Sequence, residues 1–329
     1  MRKKWFLFIF LFLLLAIAGY FLLLPKVIEI KSNLASPAPE TENPITLLFA
    51  GDIMLDRGVT YQIEKQDNND FRFPFLKIAS EIQKADLAIA NLESQISDKG
   101  IKVGSIYSFR ANPKTIEGLT FAGFDILGLA NNHAFDYGKQ ALSDSINRLL
   151  ETNINPVGAG NESQAFAPAI KTVKETTIAI FAYTDQGPET WQAGKENIGV
   201  ALVSKENLER VKADISLAKK LANIVIVSFH SGQEYQTEPT ETQISFSRAF
   251  IDAGADIVVC HHSHVIQPEE KYKDGYIFYG LGNFVFDQGF SPETMKGKIV
   301  EVVVEDKKIK RVLAKEIKIN EFFQPELIP

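Results

Sequence analysis

The chain is short of cysteine, of histidine and of positive charge. A single cysteine, Cys260, stands in 329 residues, which excludes an internal disulfide framework and a four-cysteine zinc site. The 35 Lys and Arg are outnumbered by 41 Asp and Glu, and residues 45–329 alone hold 30 basic against 38 acidic side chains. A nucleic-acid binder shows a basic surplus, so no nucleic acid is expected as partner. With 45% apolar and 23% charged residues, the composition also excludes a disordered or fibrous chain. There are no repeats, and no second linker interrupts the sequence after residue 45.

What is present begins at the N-terminus. Arg2-Lys3-Lys4 precedes an uncharged run over residues 5–24. As a helix this run spans roughly 30 Å, the thickness of a bilayer core. It predicts a cytoplasmic tail at 1–4 and a single-pass signal-anchor at 5–24 in the cell membrane. A Pro- and Ser-rich linker would follow at 25–44, and then an extracytoplasmic domain at 45–329, because the positive cluster stays inside. A cleaved signal peptide is the rival, since Ala16-Ile17-Ala18 suits a cleavage site, yet the apolar run continues past it to Leu24. No cysteine follows the run, which excludes a bacterial lipoprotein.

The outer region alternates short apolar runs (ITLLFAG, DLAIANL, DILGLAN, TTIAIFAY, IVIVSFH, DIVVCHH) with helical stretches such as GKQALSDSINRLLETN and KENLERVKADISLAKKLAN. This pattern predicts an α/β domain with buried strands. After Gly275, YIFYGLGNFVF and KGKIVEVVVEDKKIKRVLAKEI read as β-hairpin pairs, the second turning at Glu305-Asp306-Lys307-Lys308.

Ligands of α/β sheets bind at the carboxyl ends of strands, so the residues closing each run are the candidates. They are Asp52, with Asp56 and Arg57 behind it; Asn91 and Glu93; Asn132 and His133, with Asp136 behind; His230 and Glu234; and His261, His262 and His264. All five histidines fall at the ends of three predicted strands, which scattered surface or core histidines would not do. Imidazole and carboxylate are ligands for zinc, manganese or iron, and His-x-His on an extended segment aims two rings at one ion. Duller readings stand beside these. Asp52 and Asp136 suit helix starts, Asn132 a turn, Cys260 a buried apolar position, and Arg57 and Arg110 the surface. Guanidinium beside a metal site would equally suit an anionic substrate.

In order along the chain, GDIMLDRG, ANLE, FRANP, LANNHAFDYG, VSFHSGQEY, CHHSHVIQP and YGLGNFVFDQ resemble the CapA family of capsule and poly-γ-glutamate synthesis proteins. That family is similar to the calcineurin-like metallophosphoesterases. The resemblance implies a four-layer αββα sandwich with one or two divalent ions. It assigns Asp52, Glu93, Asn132, His230, His262 and His264 as metal ligands, with Asp52 and His133 catalytic and His133 protonating the leaving group. Arg57, Asn91, Arg110 and Asn283 would meet substrate, while Glu234 and Asp136 would support the ligand histidines. Met54 occupies the position where the phosphoesterases carry a histidine, so one ligand is missing. The implied function is a metal-dependent hydrolase or transferase handling an anionic extracellular polymer such as poly-γ-glutamate, with membrane subunits of a synthase or exporter as further partners. A non-catalytic polymer-binding export factor and a phosphoesterase of surface glycans or lipids are the alternatives.

Overall fold

A computed structural model describes residues 44–328, apart from 67, 68 and 104. The apolar run at 5–24 and its linker lie outside the described residues; among those described, no helix is long and apolar enough to cross a membrane. Residues 42–329 form a compact unit of their own.

Strands are numbered in chain order. β1 (Ile45–Ile53), β2 (Leu87–Leu92), β3 (Ile126–Gly128) and β4 (Asn155–Val157) run parallel in one sheet. β5 (Ala169–Val173), β6 (Thr176–Thr184), β7 (Ile224–His230), β8 (Ile257–His261), β9 (Glu269–Tyr272) and β10 (Gly275–Phe278) make the second, in the order β9-β10-β8-β7-β6-β5. The chain then returns to the first sheet as β11 (Asn283–Val285), β12 (Lys296–Glu305), β13 (Lys308–Ile319) and β14 (Pro325–Leu327), in the order β14-β13-β12-β1-β2-β3-β4 with β11 beside the end of β1.

Continuous apolar runs are what strands buried on both faces require. β6 shows why. Ile178, Ile180 and Ala182 point into a core shared with Leu127, Leu129 and Val157 of the first sheet and its following loops. The alternate residues Ala179, Phe181 and Tyr183 point outward, into a second core with the helices α2 (Leu208–Leu221) and α3 (Glu241–Asp252). Cys260 belongs to this outer core, as its apolar reading requires. α1 (Gly138–Glu151) buries Leu142 and Leu149 in the shared core. Mixed α/β sheets were therefore legible from the run pattern.

One segment corrects the sequence expectation. YIFYGLGNFVF is not a hairpin: β10 pairs parallel to β8 in the second sheet, and β11 pairs parallel to β1 in the first. Gly280-Leu281-Gly282 carries the chain between the sheets, with Gly282 at φ +71. Two strands that belong to different sheets cannot pair with each other, and periodicity alone does not reveal this. The Glu305–Lys308 turn does join an antiparallel pair, β12 and β13.

Candidate metal centre

Register brings the carboxyl ends of both sheets to one place. Asp52 stands opposite Asn91 of β2 and Asn283 of β11, and His230 of β7 stands opposite His261 of β8. Close approach of β11 depends on Gly51, where a Cβ would lie 2.0 Å from the Gly282 carbonyl oxygen.

Asp52 is 1% exposed. Its Oδ1 accepts from Asn91 Nδ2 at 2.8 Å and lies 3.1 Å from His261 Nδ1; its Oδ2 accepts from the His262 backbone N–H at 3.2 Å. Burial would raise the Asp52 pKa, but the contact and charge of His261, then His264 and Asn91, outweigh it and hold the carboxyl below its ordinary value. Asn91 Nδ2 also faces His230 Nδ1 at 3.3 Å, and Asn91 Oδ1 accepts from Asn131 Nδ2 at 3.2 Å. That leaves His230 Nε2 facing Asn132 Oδ1 at 2.8 Å.

Asn283 fixes His264. Its amide nitrogen donates to the Thr294 carbonyl at 2.9 Å, so its oxygen faces His264 Nδ1, also at 2.9 Å. The Nδ1 proton is thereby placed, and Nε2 presents its lone pair 3.6 Å from Glu93 Oε1. A similar device holds His133. Asp136 Oδ2 binds His133 Nδ1 at 2.8 Å and accepts from the Phe109 backbone N–H at 2.7 Å, turning His133 Nε2 toward Glu93 Oε1 at 3.7 Å.

Glu93 is the anomaly. It is 1% exposed, and neither carboxyl oxygen has a hydrogen-bond partner. Burial first, then the charges of Asp52, Glu234 and Asp136, push its pKa well above the ordinary carboxylate value. His262 Nδ1 is buried and unpartnered as well. Burial also lowers the histidines: His262 and His264 to about 4, and His230 well below its ordinary value with help from the other four rings. Neutral imidazoles and an unpartnered buried carboxylate are the donor set a divalent cation needs. Ligand-type atoms of Asp52, Glu93 and His264 lie within 4.8 Å of one another, as do those of Glu93, His230 and His262, and of Glu234, His262 and His264. The residues fit a metal ion. The backbone is strained where it aims them, with φ +91 at His262, +55 at His264, +51 at Arg57 and +62 at Tyr235. Left-handed backbone at residues other than glycine costs about 1–3 kcal/mol each and concentrates at functional sites.

The cluster floors a cavity of about 750 Å³ reached by Asn132, His133, Glu234, His264 and Arg57. Arg57 pairs with Asp287 and lies over the Phe109 ring at 4.5 Å. Three sequence expectations shift. Arg110 is not among the residues lining this cavity; its guanidinium binds the Lys99 and Gly100 carbonyls at 3.1 and 3.3 Å and covers Tyr137. Asn91 and Asn283 lie beneath the cavity, spent on Asp52, His230 and His264 rather than open to substrate. Glu234 approaches as a ligand-type group in its own right. The Met54 sulfur accepts from the Asp56 N–H at 3.1 Å. Sequence reasoning gave no role to three contributors, of which only His261 was among its candidates. His261 stood beside its brighter neighbour His262, Asp287 closed the YGLGNFVFDQ segment, and Tyr235, stacked on His264 with centroids 5.9 Å apart, gave no signal beyond its place after Glu234.

Two mixed sheets ending on a buried carboxylate–histidine cluster define an α/β protein with a candidate metal centre. A novel phosphatase of Mycoplasma pneumoniae shares the fold, with TM-score 0.50 and 18% identity over 84% of this chain and 94% of that one. Residues 46–288 match the model of the bacterial capsule synthesis protein family PGA_cap, and the chain belongs to that family. It is 35% identical over 255 residues to the PGA biosynthesis protein CapA of Bacillus subtilis, covering 76% of this chain and 66% of that protein. To the capsule biosynthesis protein CapA of Bacillus anthracis it is 31% identical over 289 residues, covering 84% and 68%. The chain thus spans about two thirds of the length of these relatives.

Proposed function

We propose that this protein acts in capsule or poly-γ-glutamate synthesis or export as a metal-dependent hydrolase or transferase, working on anionic cell-surface material. The observation that carries the reading is Glu93, buried with both oxygens unpartnered amid Asp52, His230, His262 and His264. The domain at 45–329 is a four-layer αββα sandwich of the metallophosphoesterase type. It is held outside the cell by a single membrane span at 5–24, with residues 1–4 inside and 25–44 as tether.

Asp52, Glu93, Asn132, His230, His262 and His264 hold one or two divalent ions, zinc, manganese or iron, and Glu234 adds a ligand on the cavity side. A bound divalent ion supplies Lewis acidity and attraction for an anion. The chain's own residues do the rest. Asp136 holds the His133 Nδ1 proton, leaving Nε2 at the cavity to take or give a proton at the leaving group. Asn283 keeps His264 Nε2 unprotonated and aimed at the cluster. Arg57, steadied by Asp287, presents a guanidinium to an anionic group.

The test is turnover of poly-γ-glutamate and of an aryl phosphate by residues 42–329, with and without chelator. The reading predicts chelator-sensitive turnover that His264→Ala abolishes while circular dichroism shows the fold intact. Full activity in His264→Ala would contradict it. Met54 in place of a ligand favours a second reading, a site that binds polymer for export without turnover. Export surviving both Asp52→Ala and His133→Ala would select that reading.

A further inference from the structure

The mouth of the cavity is apolar in a way the ion cluster does not require. Ile101 is 82% exposed, Val103 61%, Ile106 80% and Tyr107 61%. Phe290 is 64% exposed and packs edge-on against the half-exposed Tyr235, ring centroids 5.1 Å apart. Tyr107, Tyr235 and Phe290 line the cavity itself, and Ile106 stands in the chain between the lining residues Ser105 and Tyr107. The stretch carrying the aliphatic members is pinned there, with the Val103 N–H donating to the Asp136 carbonyl at 2.8 Å. Exposed apolar surface gathered at one place marks a binding surface.

Charge narrows what binds. Of the residues lining the cavity, Arg57 alone carries a permanent positive charge, and it is already paired with Asp287. Glu234 stands on the same wall, and the surrounding domain is net negative. On the cavity wall a run of free carboxylates would face Glu234 and Asp287, with Lys102 the one cation within the stretch from Ile101 to Tyr107. One anionic group fits; a row of them does not. The aliphatic side chains narrow it further. Ile101, Val103 and Ile106 offer methyl and methylene surface, which matches a hydrocarbon chain.

We infer that the site takes an anionic amphiphile, with one anionic group at the ion cluster and an adjoining hydrocarbon chain laid over Ile101, Val103, Ile106, Tyr107 and Phe290. This rests on the ion-binding reading above and deepens it: the material handled is presented on a lipid-like carrier rather than as a free stretch of polyanion.

Zinc- or manganese-loaded residues 42–329 are titrated calorimetrically with methyl phosphate, with dodecyl phosphate below its micelle concentration, and with a γ-linked oligoglutamate. Dodecyl phosphate should bind at least tenfold more tightly than either of the others. The Ile101→Asp/Ile106→Asp variant, altered only at exposed positions, should bring dodecyl phosphate down to the affinity of methyl phosphate. Equal affinity for the two phosphates, tighter binding of the oligoglutamate, or an unchanged preference in the double variant would each overturn the inference. Metal content of the same sample separates the failures: retained metal without chain-length preference sinks the amphiphile alone, whereas absent metal sinks the ion reading as well.

Discussion

Two carboxylates of this molecule, Asp144 and Glu93, are both out of solvent and have opposite surroundings. Asp144 on α1 is saturated: it accepts from Ser97 Oγ at 2.7 Å, Lys99 Nζ at 2.6 Å and Arg148 Nε at 2.8 Å. Burial would raise its pKa, yet the Lys99, Arg148 and Ser97 hydrogen bonds lower it from 3.8 to about 2. Glu93 has no hydrogen-bond donor, and burial with the charges of Asp52, Glu234 and Asp136 outweighs the opposing charge of Arg57, so its pKa is pushed up instead. The first carboxylate stabilises the fold. The second is a charge the fold does not compensate, which is the expected condition of a group kept for a cation.

Variants around the two carboxylates break this comparison in different currencies. The largest effect should come from Asp136→Ala, which would remove the acceptor that holds the His133 Nδ1 proton and so release the tautomer and orientation of the ring. Turnover should fall about 10²-fold or more with metal content unchanged, read by parallel kinetics and elemental analysis. Next, Asn283→Ala frees His264 from its fixed tautomer, and ion affinity measured by competition with a chelating dye should drop about 10- to 100-fold.

Asp144→Asn should leave ion binding and turnover alone but cost about 1–2 kcal/mol of stability in urea unfolding at pH 7. Its pH dependence has a definite sign. Because the folded-state pKa is depressed, the Asp144 contribution is complete above the unfolded value of 3.8 and fades as pH falls toward about 2. Wild type and variant should therefore converge in stability at the acid end. The smallest effect is also the sharpest in sign. In chelator, Glu93→Gln should stabilise the domain, by about 1 kcal/mol, since it removes an uncompensated buried charge. With metal present the same change should weaken binding and lower the melting temperature relative to wild type.

Much of this was legible in the sequence because burial and chemistry left separate marks. Each of the six apolar runs contains a strand, and the polar residues closing five of them converge on the cluster. GKQALSDSINRLLETN holds Gly138–Glu151, and the Glu305-Asp306-Lys307-Lys308 turn joins its two strands. Directions of side chains were not legible. Arg110 and Arg57 look alike in a string of letters, yet one binds the Lys99 and Gly100 carbonyls and the other faces the cavity. Asn283 belongs to a segment that changes sheet, so whether it opened to substrate or held His264 depended on pairings made with β1 and not with its neighbours. The apolar mouth escaped notice for a similar reason: Ile101, Val103 and Ile106 read as unremarkable hydrophobics until the fold leaves them exposed.

The central claim is that Glu93 and its histidine neighbours exist to hold a cation. Elemental analysis of residues 42–329, purified without a His tag, tests it most directly. The account predicts at least one divalent ion per chain, lost in Asp52→Ala and in His264→Ala and retained in Asp144→Asn. A wild-type domain that stays metal-free after incubation with zinc and with manganese would contradict it.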